Sequence, residues 1–110
     1  MDVKNLESAK RVDPAKPAKT NLFESERMFL DVHTLAPGQE QKPHVHDGAD
    51  KIYVVTEGRG TFRVGEETKD VGAGNAVLAP AGVEHGVKNA GSVPLVLLVF
   101  MAPHPNYARK

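Results

Sequence analysis

The chain has 110 residues, which is enough for one domain with a single hydrophobic core. Its 14 Lys and Arg residues balance 14 Asp and Glu residues, so it lacks the concentrated basic field that nucleic-acid and anionic-membrane binders need. It contains no cysteine, which excludes a disulfide framework and thiolate ligands, so any metal site must use imidazole, carboxylate or water.

The N-terminal residues MDVKNLESAKR lack the apolar segment of a signal peptide. The longest apolar run, residues 93–102, contains Pro94 and is too short to span a bilayer. We therefore expect a cytoplasmic protein with no membrane partner and no nucleic-acid partner.

The first 19 residues are polar, and residues 13–19 (DPAKPAK) are rich in proline and charge. This composition predicts a linker or an extended arm over residues 1–19. Two alternatives stay open for it, a poorly ordered terminus and an arm that lies on a partner subunit. The rest of the chain, residues 20–110, is predicted to form the single domain.

From Thr20 onward, short β-prone segments alternate with glycine and proline turns, and no segment after residue 12 keeps a helical period of 3.6. Strands at this spacing are typical of a sandwich or barrel of antiparallel strands. The predicted strands cover residues 20–23, 27–35, 43–46, 51–56, 61–64, 69–71, 76–79, 84–88 and 94–101.

Three histidines stand in predicted strands that turns bracket. His44 and His46 are two residues apart, so in an extended strand both imidazoles project to the same side. His85 follows a tight turn at residues 80–82 and opens a strand whose inward residues would be His85, Val87 and Asn89. The His-x-His pair alone is a weak signal, and the third histidine strengthens it.

The sequence resembles the cupin family through two motifs. The first, G-x5-H-x-H with a later glycine, is carried by Gly38, His44, His46 and Gly58, and the second, G-x5-P-x-G-x2-H-x3-N, by Gly74, Pro80, Gly82, His85 and Asn89. Fifteen residues separate the motifs, as in small microbial cupins. The resemblance implies an all-β double-stranded β-helix, or jelly-roll barrel, in which His44, His46 and His85 bind one divalent metal.

One position departs from the cupin pattern, because the glutamate that usually completes the first motif is absent. Lys51 keeps the spacing to Gly58, and Asp50 keeps the spacing from His46. Three alternatives follow: Asp50 as a direct or water-bridged ligand, a three-histidine site completed by water, or a site that has lost its metal because the Lys51 ammonium faces it.

Strand alternation does not decide between these alternatives. If Asp50 faces the cavity, the next inward residues are Ile52 and Val54, whereas an inward Lys51 brings residues 53 and 55 with it. Both sets are apolar, so either register agrees with a buried face.

The other candidate positions carry weaker signals. The predicted core residues are Tyr53, Phe62, Leu78, Val87, Leu97 and Val99. We expect one or two of them to line a substrate pocket, with Tyr53, Phe62 and Val87 as the candidates. His33 is predicted to be a satisfied strand histidine rather than a pocket residue, and His104, between two prolines, is predicted to be exposed.

Two functional hypotheses follow from the resemblance. The first is a metal-dependent enzyme, a dioxygenase or isomerase, that acts on a small oxygen-bearing molecule; the second is a non-enzymatic module that binds a sugar or carboxylate. Three imidazoles with water suit Zn or Ni, and an added carboxylate approaches the set that Fe or Mn prefers. No residue is assigned as the catalytic acid or base, and a homodimer is expected because small cupins commonly pair sheets or swap N-terminal strands.

Overall fold

The structure is a computed structural model, and it describes residues 1–106. Within these residues, one short helix precedes nine strands. They are α1 (Leu6–Ala9), β1 (Ala18–Glu24), β2 (Phe29–Leu35), β3 (Glu40–His44), β4 (Asp50–Glu57), β5 (Arg59–Val64), β6 (Glu67–Gly72), β7 (Ala76–Ala79), β8 (His85–Lys88) and β9 (Leu95–Ala102). No helix in this part of the chain is long and apolar enough to cross a membrane.

The strands form two antiparallel sheets. One has five strands in the order β1-β2-β9-β4-β7, and the other has four in the order β3-β8-β5-β6. Neighbours such as β2 and β9 are far apart in sequence, so the chain winds between the two sheets as it does in a double-stranded β-helix. The predicted all-β jelly-roll fold is therefore confirmed.

The core lies between the two sheets and is built by strand alternation. Residues 95, 97, 99 and 101 of β9 are buried, whereas Leu98 is half-buried and Phe100 is exposed. Side chains of this size each contribute about 1.5–3 kcal/mol when fully buried. The main buried cluster consists of Leu35, Tyr53, Val55, Phe62, Ala79, Val87, Leu95, Leu97 and Val99.

The N-terminal segment packs against its own domain. Ala9, at the end of α1, is buried on the outer face of the five-stranded sheet with Leu22, Val32 and Val96. Further along, the Gln39 amide donates to the carbonyl oxygen of Asp13 over 2.7 Å. These contacts place residues 9–13 along one side of the barrel.

The candidate metal centre and its cavity

The three predicted histidines lie together at one end of the barrel. His44 and His85 face each other in the β3–β8 pairing. The ring centroids are 4.7 Å apart for His44 and His46, 4.4 Å for His44 and His85, and 5.5 Å for His46 and His85. One ligand atom of each lies within 4.8 Å of the others, so this group could hold a metal ion.

The turn at Pro80–Gly82 positions His85. Gly82 adopts a φ of +79°, a left-handed conformation that glycine takes without steric cost. Its N–H donates to the carbonyl oxygen of His46 over 2.9 Å, which joins the loop that carries His46 to the turn that precedes His85.

A second glycine lets the two histidine strands approach closely. A Cβ atom at Gly86 would lie 2.8 Å from the carbonyl oxygen of Gln41 and 2.9 Å from the nitrogen of Pro43. Atoms at these distances would clash, so a residue with a side chain would push β8 away from β3. Gly86 therefore maintains the spacing between His44 and His85.

The motif residue Asn89 has a structural role. It is fully buried, as predicted for the inward face of β8, and its amide donates to the carbonyl oxygens of Leu35 and Val93 over 2.9 and 2.8 Å. Its own Oδ1 accepts from the N–H of Gly91. These bonds satisfy loop backbone groups at the opposite end of β8 from His85.

Backbone carbonyls fix the tautomers of two of the histidines. Nδ1 of His44 lies 3.0 Å from the oxygen of Lys42, and Nδ1 of His85 lies 3.0 Å from the oxygen of Val83. Because a carbonyl oxygen only accepts, each Nδ1 carries the proton and each Nε2 keeps a free lone pair. Nε2 of His85 is buried and has no hydrogen-bond partner among the described residues, as a metal-ligating nitrogen requires.

Two of the imidazoles are also held in the neutral form that binds metal. Burial lowers the pKa of His85 to about 4. Burial also lowers the pKa of His46, and the neighbouring His44 and Lys51 add to this effect. His46 and His85 therefore offer lone pairs at neutral pH.

Of the two registers left open on β4, the structure has the one in which Lys51 points inward. Lys51 is 5% exposed and lies on the buried face with Tyr53 and Val55. Asp50 is exposed, and its Oδ1 accepts a hydrogen bond of 2.8 Å from the N–H of Ala81. Asp50 thus holds the turn before His85 and lies outside the three-histidine group.

A cavity of about 780 Å³ opens beside the histidines, within the size range of small-molecule sites. His44, His46 and Lys51 line it from the barrel, and residues 16–19 of the N-terminal segment line its mouth. The remaining lining residues are Arg11, Asp13, Phe29, Asp31, His33, Glu40, Gln41, Lys42, Met101, Pro105 and Asn106.

His33 lies in this cavity, and the prediction that it is a satisfied strand histidine was wrong. It is 3% exposed, and its Nδ1 accepts from the Gln41 amide over 2.8 Å. The N–H at Nε2 is buried, lacks a hydrogen-bond partner among the described residues and lies 3.5 Å from Oδ2 of Asp31. Burial lowers the pKa of His33, so its ring is neutral at pH 7.

The strand β2 carried a signal for this polar pair. Asp31 and His33 share one face, and the apolar residues Leu30 and Val32 share the other. Val32 packs outward against Ala9, so the inward face is the polar one. A polar pair on the interior of a barrel indicates a cavity rather than a packed core.

The three predicted pocket residues lie deeper than the cavity. Tyr53, Phe62 and Val87 are at most 2% exposed and belong to the main core cluster, and none of them is among the lining residues. The Tyr53 ring stands 5.1 Å from that of Phe62 and 6.3 Å from that of His85. Burial raises the pKa of Tyr53, so its hydroxyl stays protonated.

His104 is buried, and the prediction that it is exposed was also wrong. Its Nδ1 accepts from the N–H of Asn106, and its Nε2 lies 2.8 Å from Oε2 of Glu24. The ring also makes an edge contact with Phe29 at 5.3 Å. His104 therefore fastens the chain after β9 to the end of β1.

Comparison with known proteins agrees with this architecture. Residues 31–101 match the cupin domain family. An uncharacterized protein of Streptomyces coelicolor is 37% identical over 78 residues, which is 69% of this chain and 71% of that protein. The crystal structure of TT1209 from Thermus thermophilus superposes with a TM-score of 0.90 at 48% identity, over 94% of this chain and 98% of that one.

A second solved structure extends the comparison. An RmlC-like cupin protein from Desulfovibrio desulfuricans superposes with a TM-score of 0.82 at 30% identity, over 94% of this chain and 97% of that one. The family match covers more than half of the sequence and includes all three histidines. The chain belongs to the cupin family.

Proposed function

We propose that the protein holds one divalent transition metal through His44, His46 and His85 and acts as a metal-dependent enzyme on a small oxygen-bearing molecule. The observation that best supports this proposal concerns His85. Its Nε2 is buried without a hydrogen-bond partner among the described residues, while its Nδ1 is fixed by the Val83 carbonyl. Three neutral imidazoles completed by water favour Zn or Ni, and Fe and Mn remain members of the proposed set.

Different residues of the chain would have different roles at such a site. When bound, the metal would act as a Lewis acid toward an oxygen of the ligand. The carbonyls of Lys42 and Val83 orient two of the imidazoles, and Tyr53 and Phe62 close the barrel beside His85 against water. His33 offers an N–H in the same cavity at which a proton can be held or delivered. Reactions of the oxygenase or isomerase type fit this arrangement.

A second candidate is a non-enzymatic module that binds a small ligand such as a sugar or carboxylate. Lys51 favours it, because an inward ammonium stands where the cupin motif usually supplies a carboxylate. An ammonium cannot ligate a metal, and it cannot replace a carboxylate as a general base while it is protonated. Turnover of any small oxygen-bearing substrate would separate the enzyme from the binding module.

Metal titration tests the metal site that both candidate functions share. Protein purified without a histidine tag and stripped of metal is expected to bind about one equivalent of Zn or Ni per chain. His85→Ala should weaken binding by at least about 100-fold, because it removes one of three ligands. Uptake of less than roughly a tenth of an equivalent by the parent protein would overturn the proposal.

The matched control is His104→Ala, which removes a buried histidine that does not belong to the triad. His104 contacts Glu24 and Phe29 and is not in the histidine group. This variant should still bind one equivalent, provided that circular dichroism shows it folded. If His85→Ala binds metal as well as the parent does, the ligand assignment is wrong.

The proposal includes a homodimer formed through the outer face of the five-stranded sheet. Phe100, Ile52 and Leu78 pair across β9, β4 and β7 and form an apolar row, in which Leu78 is 57% and Phe100 37% exposed. The double variant Leu78→Glu, Phe100→Glu should convert the dimer to a monomer in light scattering. Val93→Glu, at an exposed position before β9, is the control, and a monomeric parent protein would contradict the proposal.

A further inference from the structure

The ammonium of Lys51 lies at the cavity without an ion-pair partner among the described residues. Lys51 is 5% exposed, and its Nζ stands 4.9 Å from the centroid of the Tyr53 ring. Among residues 1–106, no side chain or carbonyl gives Nζ a hydrogen bond or an ion pair within 4.0 Å. An aromatic face offsets only a part of the cost of removing a charge from water. A site of this kind is completed by an anion.

The surroundings of Lys51 do not supply that anion. Its charged neighbours are Lys19 and Asp31, one of which has the same sign. The Asp31 carboxylate already accepts from the Asn21 amide over 2.8 Å and lies beside His33. Burial pushes the pKa of Asp31 upward, but His33 and Asn21 lower it overall, so Asp31 is an anion that is hydrogen-bonded to Asn21 and forms no ion pair with Lys51 within 4.0 Å among the described residues.

The cavity as a whole has an excess of positive charge. Five cationic side chains line it, against three carboxylates, Asp13, Asp31 and Glu40. Asp13 is engaged as well, because its Oδ1 accepts from the N–H of Ala15 over 2.8 Å. The cationic residues are Arg11, Lys16, Lys19, Lys42 and Lys51. A divalent ion on the histidines would increase the excess and attract an anionic ligand into the cavity.

A second unpartnered donor lies in the same cavity. Nδ1 of His33 accepts from the Gln41 amide, so the proton of the neutral ring is on Nε2. That N–H is buried, and the Asp31 carboxylate oxygen beside it is 3.5 Å away, so it makes no well-formed hydrogen bond among the described residues. The ammonium and the ring N–H line the same cavity, and donors of this kind hydrogen-bond the oxygens of a carboxylate.

We propose that the cavity binds a small organic carboxylate, whose oxygens accept hydrogen bonds from Nζ of Lys51 and Nε2 of His33. The inference deepens the proposed function, because it names the ligand class of the cavity beside the histidine group. Lys51 then has a defined role at the position of the missing motif glutamate, that of an anion anchor rather than a metal ligand. The same role holds whether the protein is an enzyme or a binding module.

Calorimetric titration with malonate tests this inference on the full chain, with and without Zn. The parent protein is expected to bind malonate, and Lys51→Met should weaken binding at least about tenfold, since it removes a charge-assisted hydrogen bond. Lys42→Met, which removes an exposed cation from the same cavity, should change the affinity by less than about threefold. Lys51→Arg keeps the charge and should retain more affinity than Lys51→Met.

Each outcome decides between the proposals. Failure of malonate to bind in either form, or equal binding by Lys51→Met and the parent, would overturn the carboxylate inference. Tighter binding of inorganic phosphate than of malonate would also overturn it. Lys51-dependent malonate binding by a protein that takes up no metal would support the inference and overturn the proposed metal function. If Lys51→Met fails to fold, His33→Gln provides the test instead. Its affinity for malonate is expected to fall about threefold or more.

Discussion

Asp50 Oδ1 accepts a hydrogen bond of 2.8 Å from the N–H of Ala81, while the next side chain, Lys51, points into the barrel. Two consecutive residues of β4 therefore serve the site from opposite faces of one sheet. Asp50 stabilises the turn that leads to His85, and Lys51 brings a positive charge to the cavity that His44 and His46 line.

Asp50→Ala should lower the free energy of unfolding by about 1 kcal/mol, because the Ala81 N–H loses its acceptor. Asp50→Asn keeps an Oδ1 acceptor and should remain within about 0.5 kcal/mol of the parent. Neither change should remove metal binding, because the carboxylate lies outside the histidine group. Urea unfolding and Zn titration measure the two effects. A tenfold loss of Zn affinity in Asp50→Asn at unchanged stability would identify Asp50 as a ligand instead.

Much of the fold could be predicted because its signals are local. Glycine and proline mark the turns, and alternation of apolar residues marks the strands, so the predicted strands lie within a few residues of the observed ones. The three histidines could be brought together from sequence because motif spacing fixes where each stands relative to a turn. The observed β3 is longer than predicted, starting at Glu40 rather than Pro43, since its pairing with β8 begins there.

The direction of Lys51 could not be predicted from alternation, because both faces of β4 are apolar. Ile52 and Val54 lie on the outer face of the five-stranded sheet, where the proposed dimer contact would cover them. Tyr53 and Val55 lie in the core. A strand with two apolar faces carries no register information of its own.

The two wrong histidine predictions have a different origin, which is long-range contact. His104 is buried by Glu24, 80 residues away in the sequence, and by Phe29. His33 is turned inward because Val32 packs outward on Ala9, a contact between the N-terminal helix and β2. Local sequence patterns do not report such pairings.

Gly86→Ala should destabilise the protein by about 1–3 kcal/mol, because the new methyl group meets backbone atoms of Gln41 and Pro43 at under 3.0 Å. Separation of β8 from β3 should also weaken Zn binding, since His44 and His85 lie on these strands. Gly91→Ala is the control, because its Cβ would meet only Oδ1 of Asn89 at 3.4 Å. Equal stability and Zn affinity in both variants would show that β3 and β8 separate without cost.

Lys51→Met should make the metal-free protein more stable at pH 7, by on the order of 2 kcal/mol, because it removes a buried charge. Burial lowers the pKa of Lys51 from 10.5 to about 8, so the folded state loses this proton before the unfolded state does. Between pH 8 and 10.5 the unfolded chain binds more protons, and the parent therefore gains stability relative to the variant as pH rises. The extra stability of Lys51→Met over the parent should thus be constant below pH 8 and decrease above it.

Urea unfolding at a series of pH values measures this difference. Lys19 and Asp31 are the charged groups that act on Lys51, and the nearby His33, His46 and His85 are neutral throughout the range. Lys42→Met, at an exposed position of the same cavity and not among the charges that act on Lys51, is the control and should differ in stability from the parent far less than Lys51→Met does. A Lys51→Met difference that stays constant up to pH 10 would mean that the ammonium is solvated.

Ala9→Glu should release the N-terminal segment from the barrel. Ala9 is 6% exposed and packs against Val32 and Val96, where a carboxylate would be buried without a partner. Trypsin should then cut after residues 10 and 11 at least about tenfold faster than in the parent, because the open segment becomes more populated. Ser8→Glu, one residue earlier at an exposed position, is the matched control and should be cut at the parental rate. Equal cleavage rates for Ala9→Glu and the parent would contradict docking of this segment on its own domain.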